Sequence, residues 1–158
     1  MGEVEERLKQ LGLEVPDLVA PVGAYVPALR QGDLVFTSGQ LPMVSGALLQ
    51  SGKVGAAGDA GVSAEDAKAL ARTCALNAIA AVKSVIGDLD KVTRVVKVVG
   101  FVACDPAFTG QPGVINGASE LLGTAFGDAG VHARSAVGVA SLPLDAPVEV
   151  EIIVAVRD

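Results

Sequence analysis

Arg134 and Glu149 are the two side chains whose types and settings most suggest chemistry. Each lies on a strand-like, otherwise apolar run, where a charge costs free energy unless something pairs with it or uses it. Arg134 stands near the start of the run from His132 to Ser141. In the next run Val148, Val150, Ile152, Val154 and Val156 share one face by period-two alternation. Glu149 and Glu151 then fall on the opposite face, beside Ile153 and Ala155. A guanidinium offers a rigid two-pronged donor to a carboxylate. A glutamate can polarise water or carry a proton. The plain structural alternative is a solvated strand-end arginine and a water-facing stripe of glutamates.

Spacing limits how the pair can cooperate. If the last two strands formed a simple hairpin with Leu142 opposite Pro147, Arg134 would pair opposite Ala155. Glu149 would then lie about 20 Å away at the strand rise, too far to share a small substrate. Either the hairpin is refused or the two groups come from different subunits.

The other strands carry lesser candidates. Tyr25 to Arg30 and Leu34 to Ser38 read as strands joined by Gln31-Gly32-Asp33, a hairpin signal. Ser38-Gly39-Gln40 leaves the second of them, and glycine there allows close backbone approach to a ligand, with its N–H as a candidate donor. Lys91 to Cys104 is a long β-branched strand with Val92, Val96, Val98 and Val102 on one face and Val95, Val99 and Phe101 on the other. Two apolar faces require two covers. Helices supply one, and another subunit is the simplest source of the second.

Ser63 to Ile86 is the strongest helix, with Ser63 as N-cap, Asp66 three residues on and Gly87 as the stop. Its expected buried stripe is Leu70, Cys74, Ala78, Val82 and Val85. Val114 to Phe126 reads as a second helix after a turn-rich stretch from Asp105 to Pro112, and Asn116 lies near its start. Glu3 to Leu13 reads as a short helix, so residues 1–158 form one domain with a helical extension over about residues 1–15. Met43 to Val62 reads as a long surface loop with room for a short hairpin, a candidate lid.

Composition narrows the function classes. With 51% hydrophobic but 3% aromatic residues, the core must be built from Val, Ala, Leu and Ile. The net charge of -6 opposes a phosphate backbone, and the densest basic group, Lys91, Arg94 and Lys97, is spread along one strand. Nucleic acid is therefore a disfavoured partner. Cys74 and Cys104 have no metal-ligand or CxxC spacing, and one histidine, His132, cannot build a multi-histidine site. No metal or organic cofactor is expected. Met1 to Gln10 lacks the apolar core of a signal peptide. The uncharged run Leu34 to Gly52 is too rich in Gly, Pro, Ser and Gln to span a bilayer. Two isolated thiols fit a reducing cytoplasm, the expected location.

Three ordered blocks then carry a resemblance. Ala133-Arg134-Ser135, Leu142-Pro143 and Val148-Glu149-Val150-Glu151 form the first. Leu34-Val35-Phe36-Thr37-Ser38-Gly39-Gln40-Leu41-Pro42 forms the second, and Gly23-Ala24-Tyr25 the third. Together they resemble the YjgF/RidA family, also called L-PSP endoribonuclease-like, from about Val22 to Val156. The resemblance implies a chorismate-mutase-like α+β domain, with a mixed sheet and two helices on one face. It also implies a homotrimer with pockets between subunits. The implied activity is hydrolysis of 2-aminoacrylate- or 2-iminobutyrate-type intermediates to 2-keto acids and ammonia. Arg134 would clamp the substrate carboxylate and Glu149 would activate water, with Tyr25, Ser38, Gly39 and Asn116 lining the pocket.

The chain departs from the family pattern at Val26-Pro27, at Ala136 in place of a pocket cysteine, and at Gly138 in place of a glutamate. The alternatives are the family's older reading, endoribonuclease or translation inhibitor, and a small-acid-binding protein without chemistry.

Overall fold

The computed structural model describes residues 1–18, 20–21 and 23–158; Val22, where the resemblance begins, lies outside them. In chain order the elements are α1 (Glu3–Gln10), β1 (Ala28–Gln31), β2 (Leu34–Thr37), β3 (Met43–Val44), β4 (Ala47–Leu48), β5 (Lys53–Val54) and β6 (Gly61–Val62), then α2 (Ala64–Ile86), β7 (Val92–Ala103), α3 (Gln111–Phe126), β8 (Ala133–Val139) and β9 (Val148–Val156). Among the described residues β1-β2-β9-β7-β8 form one mixed sheet, antiparallel except where β7 runs parallel to β8. The α2 and α3 helices pack together over one face, α2 above β9 and α3 above β7 and β8. The simple hairpin is refused: β9 inserts between β2 and β7, leaving β8 at an edge.

The β9 strand shows why. Its even-numbered residues from Val148 to Val156 are all buried beneath the helices, and a strand so apolar on one face belongs at the sheet centre. The β7 strand corrects the simple alternation. Irregularities between Val92 and Arg94 and between Val95 and Lys97 each insert one residue. Val92, Val95, Val98 and Val102 therefore share the core face, and Val96, expected there, is turned outward. One extra residue exchanges the faces of everything beyond it.

The α2 helix has the expected cap: Ser63 Oγ accepts from the Asp66 N–H at 3.0 Å. Gly87 closes it at φ 77°, a backbone conformation open to glycine at little cost. Val85 is exposed, and Ile86 takes the buried place expected of it. By length and composition α2 could cross a membrane, but its apolar stripe is spent on the sheet and on α3. The α3 helix starts at Gln111, earlier than expected, because Pro112 sits in the first turn, where its missing N–H costs nothing. The 43–62 segment is only partly a surface loop. Its first half is the β3–β4 hairpin, but Val54 and Val62 are buried and Val54 bridges Cys104. Two valines among glycines give no period to read.

The α1 helix docks on this domain through buried Val4 and Leu8 and through a Glu5–Lys83 ion pair. Asp90 caps its open end, accepting from the Glu3 N–H at 2.8 Å and the Val4 N–H at 3.0 Å. These two backbone donors hold the Asp90 carboxyl below its ordinary range. A carboxyl lowered on folding stabilises the protein above its unfolded value and loses that contribution as pH falls through the folded one. Asp90→Ala is expected to cost about 1 kcal/mol, a typical N-cap loss. Denaturant unfolding at pH 7 should show the deficit, and at pH 3 it should shrink; a constant deficit would mean that the cap is not electrostatic.

Candidate functional site

Arg134 and Glu149 lie on opposite faces of the sheet, and the other expected site residues gather near one or the other. The first group is built where β2 hands over to the segment after it. Thr37 Oγ1 accepts the Ile152 N–H at 3.0 Å, replacing a backbone acceptor at the end of β2. Pairing resumes at Gln40, whose N–H and carbonyl exchange hydrogen bonds with Val150 at 2.8 and 3.0 Å. Ser38 and Gly39 therefore bulge opposite Glu151, and Gly39 comes against the side chain of Glu149. Ser38 also secures the segment that carries Tyr25: its Oγ donates to the Val26 carbonyl at 2.6 Å, and its N–H to the Pro27 carbonyl at 2.8 Å. Tyr25 itself is 55% exposed.

The missing side chain of Gly39 makes room for Glu149. A Cβ built there would stand 2.1 Å from Glu149 Oε1 and 2.7 Å from its Cδ. The Glu149 carboxylate thus lies against bare backbone, on the helix-free face, with Phe101 opposite it on β7. Burial, and secondarily the Glu151 carboxylate, raises Glu149 above the ordinary carboxylate range. Such a carboxyl is a better proton acceptor than a free one. Gly39→Ala meets only the end of a flexible side chain, so the fold should persist while Glu149 is pushed aside. A loss of roughly tenfold in kcat is expected, short of the hundredfold that a 1 Å misplacement of a reacting group can cost. Unchanged turnover would show that the contact does not matter.

The second group surrounds Arg134. Its register partner on β7 is Val98, which faces the helices, so the guanidinium points beneath α3 at the sheet edge. Arg134 donates through one guanidinium nitrogen to Asn116 Oδ1 at 2.7 Å and to Ser119 Oγ at 3.2 Å. Ser119 was missed from the sequence, although its position three residues after Asn116 puts it on the same helix face. His132 completes the chain: Nδ1 lies 2.6 Å from the Gly130 carbonyl and Nε2 lies 2.9 Å from Ser119 Oγ. A carbonyl can only accept, so Nδ1 carries a proton. His132 thereby braces Ser119, whose Oγ also accepts from Arg134. The other guanidinium nitrogens have no hydrogen-bond partner among the described residues, and a guanidinium suits a carboxylate.

The two groups do not meet within the chain. Arg134 aligns with Val98 and Ile152, and Glu149 stands three residues further along, two strands away and on the other face. Strand spacing and rise put the two Cα atoms roughly 14 Å apart.

Comparison with known proteins agrees with this fold. Residues 5–155 match the family described as "YjgF/chorismate_mutase-like, putative endoribonuclease". The chain is similar to Protein TCP17 of Trypanosoma cruzi, at 42% identity over 154 residues, covering 97% of this chain and 94% of that one. It is also similar to the crystal structure of Atu1372, of unknown function, from Agrobacterium tumefaciens, with 46% identity, a TM-score of 0.87, and 98% and 92% of the two chains covered. E. coli TdcF, solved with bound serine, is similar at 26% identity and a TM-score of 0.62, over 89% of this chain and 94% of that one.

Proposed function

This chain belongs to the YjgF/chorismate-mutase-like family, and from that premise we propose that it is an enamine/imine deaminase acting as a homotrimer. The reading rests chiefly on one observation: Arg134, held by Asn116 and Ser119, and Glu149, lying against Gly39, are both part-buried and stand on opposite faces of one sheet. A site shared between neighbouring copies would join the two halves. The helix-free face fits burial against such copies, since Leu29, Phe36, Val96 and Val137 lie exposed on it or at its margin. The free edge of β8 likewise offers unpaired backbone groups to a neighbour.

The chemistry asks little of the protein. Arg134 holds the substrate carboxylate and fixes its orientation. Glu149 takes a proton from water as the oxygen attacks the carbon of the protonated imine, giving a neutral carbinolamine. It passes that proton to the amine nitrogen and then takes the hydroxyl proton as the C–N bond breaks and the carbonyl forms, so that ammonia and the 2-keto acid leave. An enamine substrate first gains a proton at its β-carbon to become the imine.

The described family name favours a second reading, RNA cleavage. It needs phosphate contacts that a chain of net charge -6 supplies poorly. Its most clustered cation, Arg94, already donates to the carbonyls of Asp128 and Val131. One assay separates the readings: 2-iminobutyrate generated in situ should disappear faster with the protein, and a structured RNA should stay intact. RNA cleavage without imine turnover would reverse the choice. Sedimentation should give a particle three times the 15.8 kDa chain mass; a monomer would remove the shared site.

A further inference from the structure

Near the middle of α2, Asn77 is half-buried and flanked in sequence by the fully buried Ala75, Ala78 and Ile79. Asparagine is a poor residue for a helix interior, and an amide taken out of water needs partners. Asn77 finds two on one segment. Its Nδ2 donates to the Leu41 carbonyl at 3.0 Å and to the Met43 carbonyl at 2.9 Å, which uses both amide protons. The Met43 N–H also donates to the Leu41 carbonyl, at 2.8 Å, and closes a tight turn about Pro42. Among the described residues no other side chain bonds to residues 41–43. This turn continues directly from Gly39 and Gln40. Gln40 pairs with Val150, and Gly39 lies against the Glu149 side chain. On the same helix face, three residues before Asn77, Cys74 Sγ lies 3.8 Å from the Val148 carbonyl. One face of α2 therefore touches both segments that meet at Glu149: Cys74 the residue before it on β9, and Asn77 the turn after Gly39.

We infer that Asn77 is a positioning residue for Glu149: by holding the Leu41 and Met43 carbonyls it keeps the Gly39 backbone seated against the Glu149 carboxylate. The inference deepens the acid–base role proposed above for Glu149 and rests on it for the effect on turnover; the effect on the carboxylate's surroundings rests on the geometry alone. Without the amide, residues 41–43 are held by backbone bonds only, and the Glu149 side chain gains room and water. Burial is the main cause that raises Glu149, so its proton affinity should then fall toward that of a free carboxyl. The charged and titratable groups about it are Glu151 on its own strand, Lys97 on the same face of β7 and Cys74 on α2. None of them is altered by a change at Asn77.

Carbon-detected NMR of the carboxyl groups in full-length protein carrying isotope-labelled glutamate follows the titration of Glu149 itself, with Glu149→Gln to assign its signal. Asn77→Leu keeps the bulk and removes both donors. Asn77→Ala, which leaves room for water at the two carbonyls, takes its place if the leucine variant does not fold. Ile79→Val trims the core side of the same helix and controls for lost stability. Glu149 is expected to titrate at lower pH in the Asn77 variant than in wild type, and to be unmoved in the control. On 2-iminobutyrate, kcat should fall roughly tenfold in the Asn77 variant. Adding Gly39→Ala to that variant should cost less than about threefold more, because both changes displace one carboxylate and so are not additive. An unmoved Glu149 titration, or an equal movement in Ile79→Val, overturns the inference whatever the turnover; so does a moved titration with wild-type turnover. A titration that moves only in the Asn77 variant, in a protein that turns over no imine, defeats the deaminase reading alone.

Discussion

Glu149→Gln is expected to lower the turnover of 2-iminobutyrate by a factor on the order of 10² to 10⁴, the usual contribution of a positioned acid–base group. The substitution keeps the shape and removes the proton carrier. It should also raise the melting temperature at neutral pH. Burial raises the Glu149 pKa in the folded chain, so the native state binds this proton more tightly than the unfolded state. Above the raised value the ionised group costs stability; below the ordinary carboxylate range the cost disappears. Glutamine carries no charge at any pH, so the gain should be present at pH 7 and fade on acidification. A less active but more stable variant is the pattern of a site that trades stability for function. The acid limb of the wild-type rate profile should likewise lie above the ordinary carboxylate range and be absent from the variant's residual rate. Wild-type turnover in the variant would remove Glu149 from the mechanism.

Arg134→Ala is expected to lower kcat/KM by about 2 kcal/mol or more, at least roughly thirtyfold, because it removes a partly buried charged partner of the substrate. The loss should fall mainly on KM if the arginine binds ground and transition states alike. Arg134→Lys should recover little. An ammonium is a point donor and cannot both keep the 2.7 Å contact with Asn116 and grip a carboxylate with two parallel hydrogen bonds. Full activity in the lysine variant would mean that charge alone matters. Steady-state kinetics on 2-iminobutyrate, with circular dichroism to show an intact fold, decides between these outcomes.

The legible parts of the chain were those with a strict period or a chemical stop. The β9 strand keeps five alternating aliphatic residues, and the α2 helix is bounded by Ser63 and Gly87, so both stand where the pattern puts them. The β7 strand was misread because bulges leave no mark in a run of valines: the pattern ran straight through the two insertions and placed Val96 in the core. The anchoring of Val54 and Val62 was hidden for a related reason, since their burial depends on β7 and not on their neighbours in sequence.

At the site, strand spacing was enough to exclude Arg134 and Glu149 from a simple hairpin pocket. It could not show that they face opposite ways, because that depends on strand order and on the register β7 sets between them. Thr37 and Ser119 carry ordinary structural residue types. Their importance comes from what they touch, the Ile152 N–H and the Arg134 guanidinium, and both partners are distant in sequence.

Subunit mixing tests the shared site most directly. Arg134→Ala and Glu149→Gln chains, each strongly impaired alone, are co-expressed at equal levels and the randomly assembled trimers are purified together without sorting by composition. If one neighbour supplies the guanidinium and the next the carboxylate, random assembly in a closed ring restores about one quarter of the sites, and 2-iminobutyrate turnover should return to about that share of wild type. If mixed trimers form and remain as inactive as either parent, no site is built from Arg134 of one copy and Glu149 of another, and the proposed catalyst is excluded.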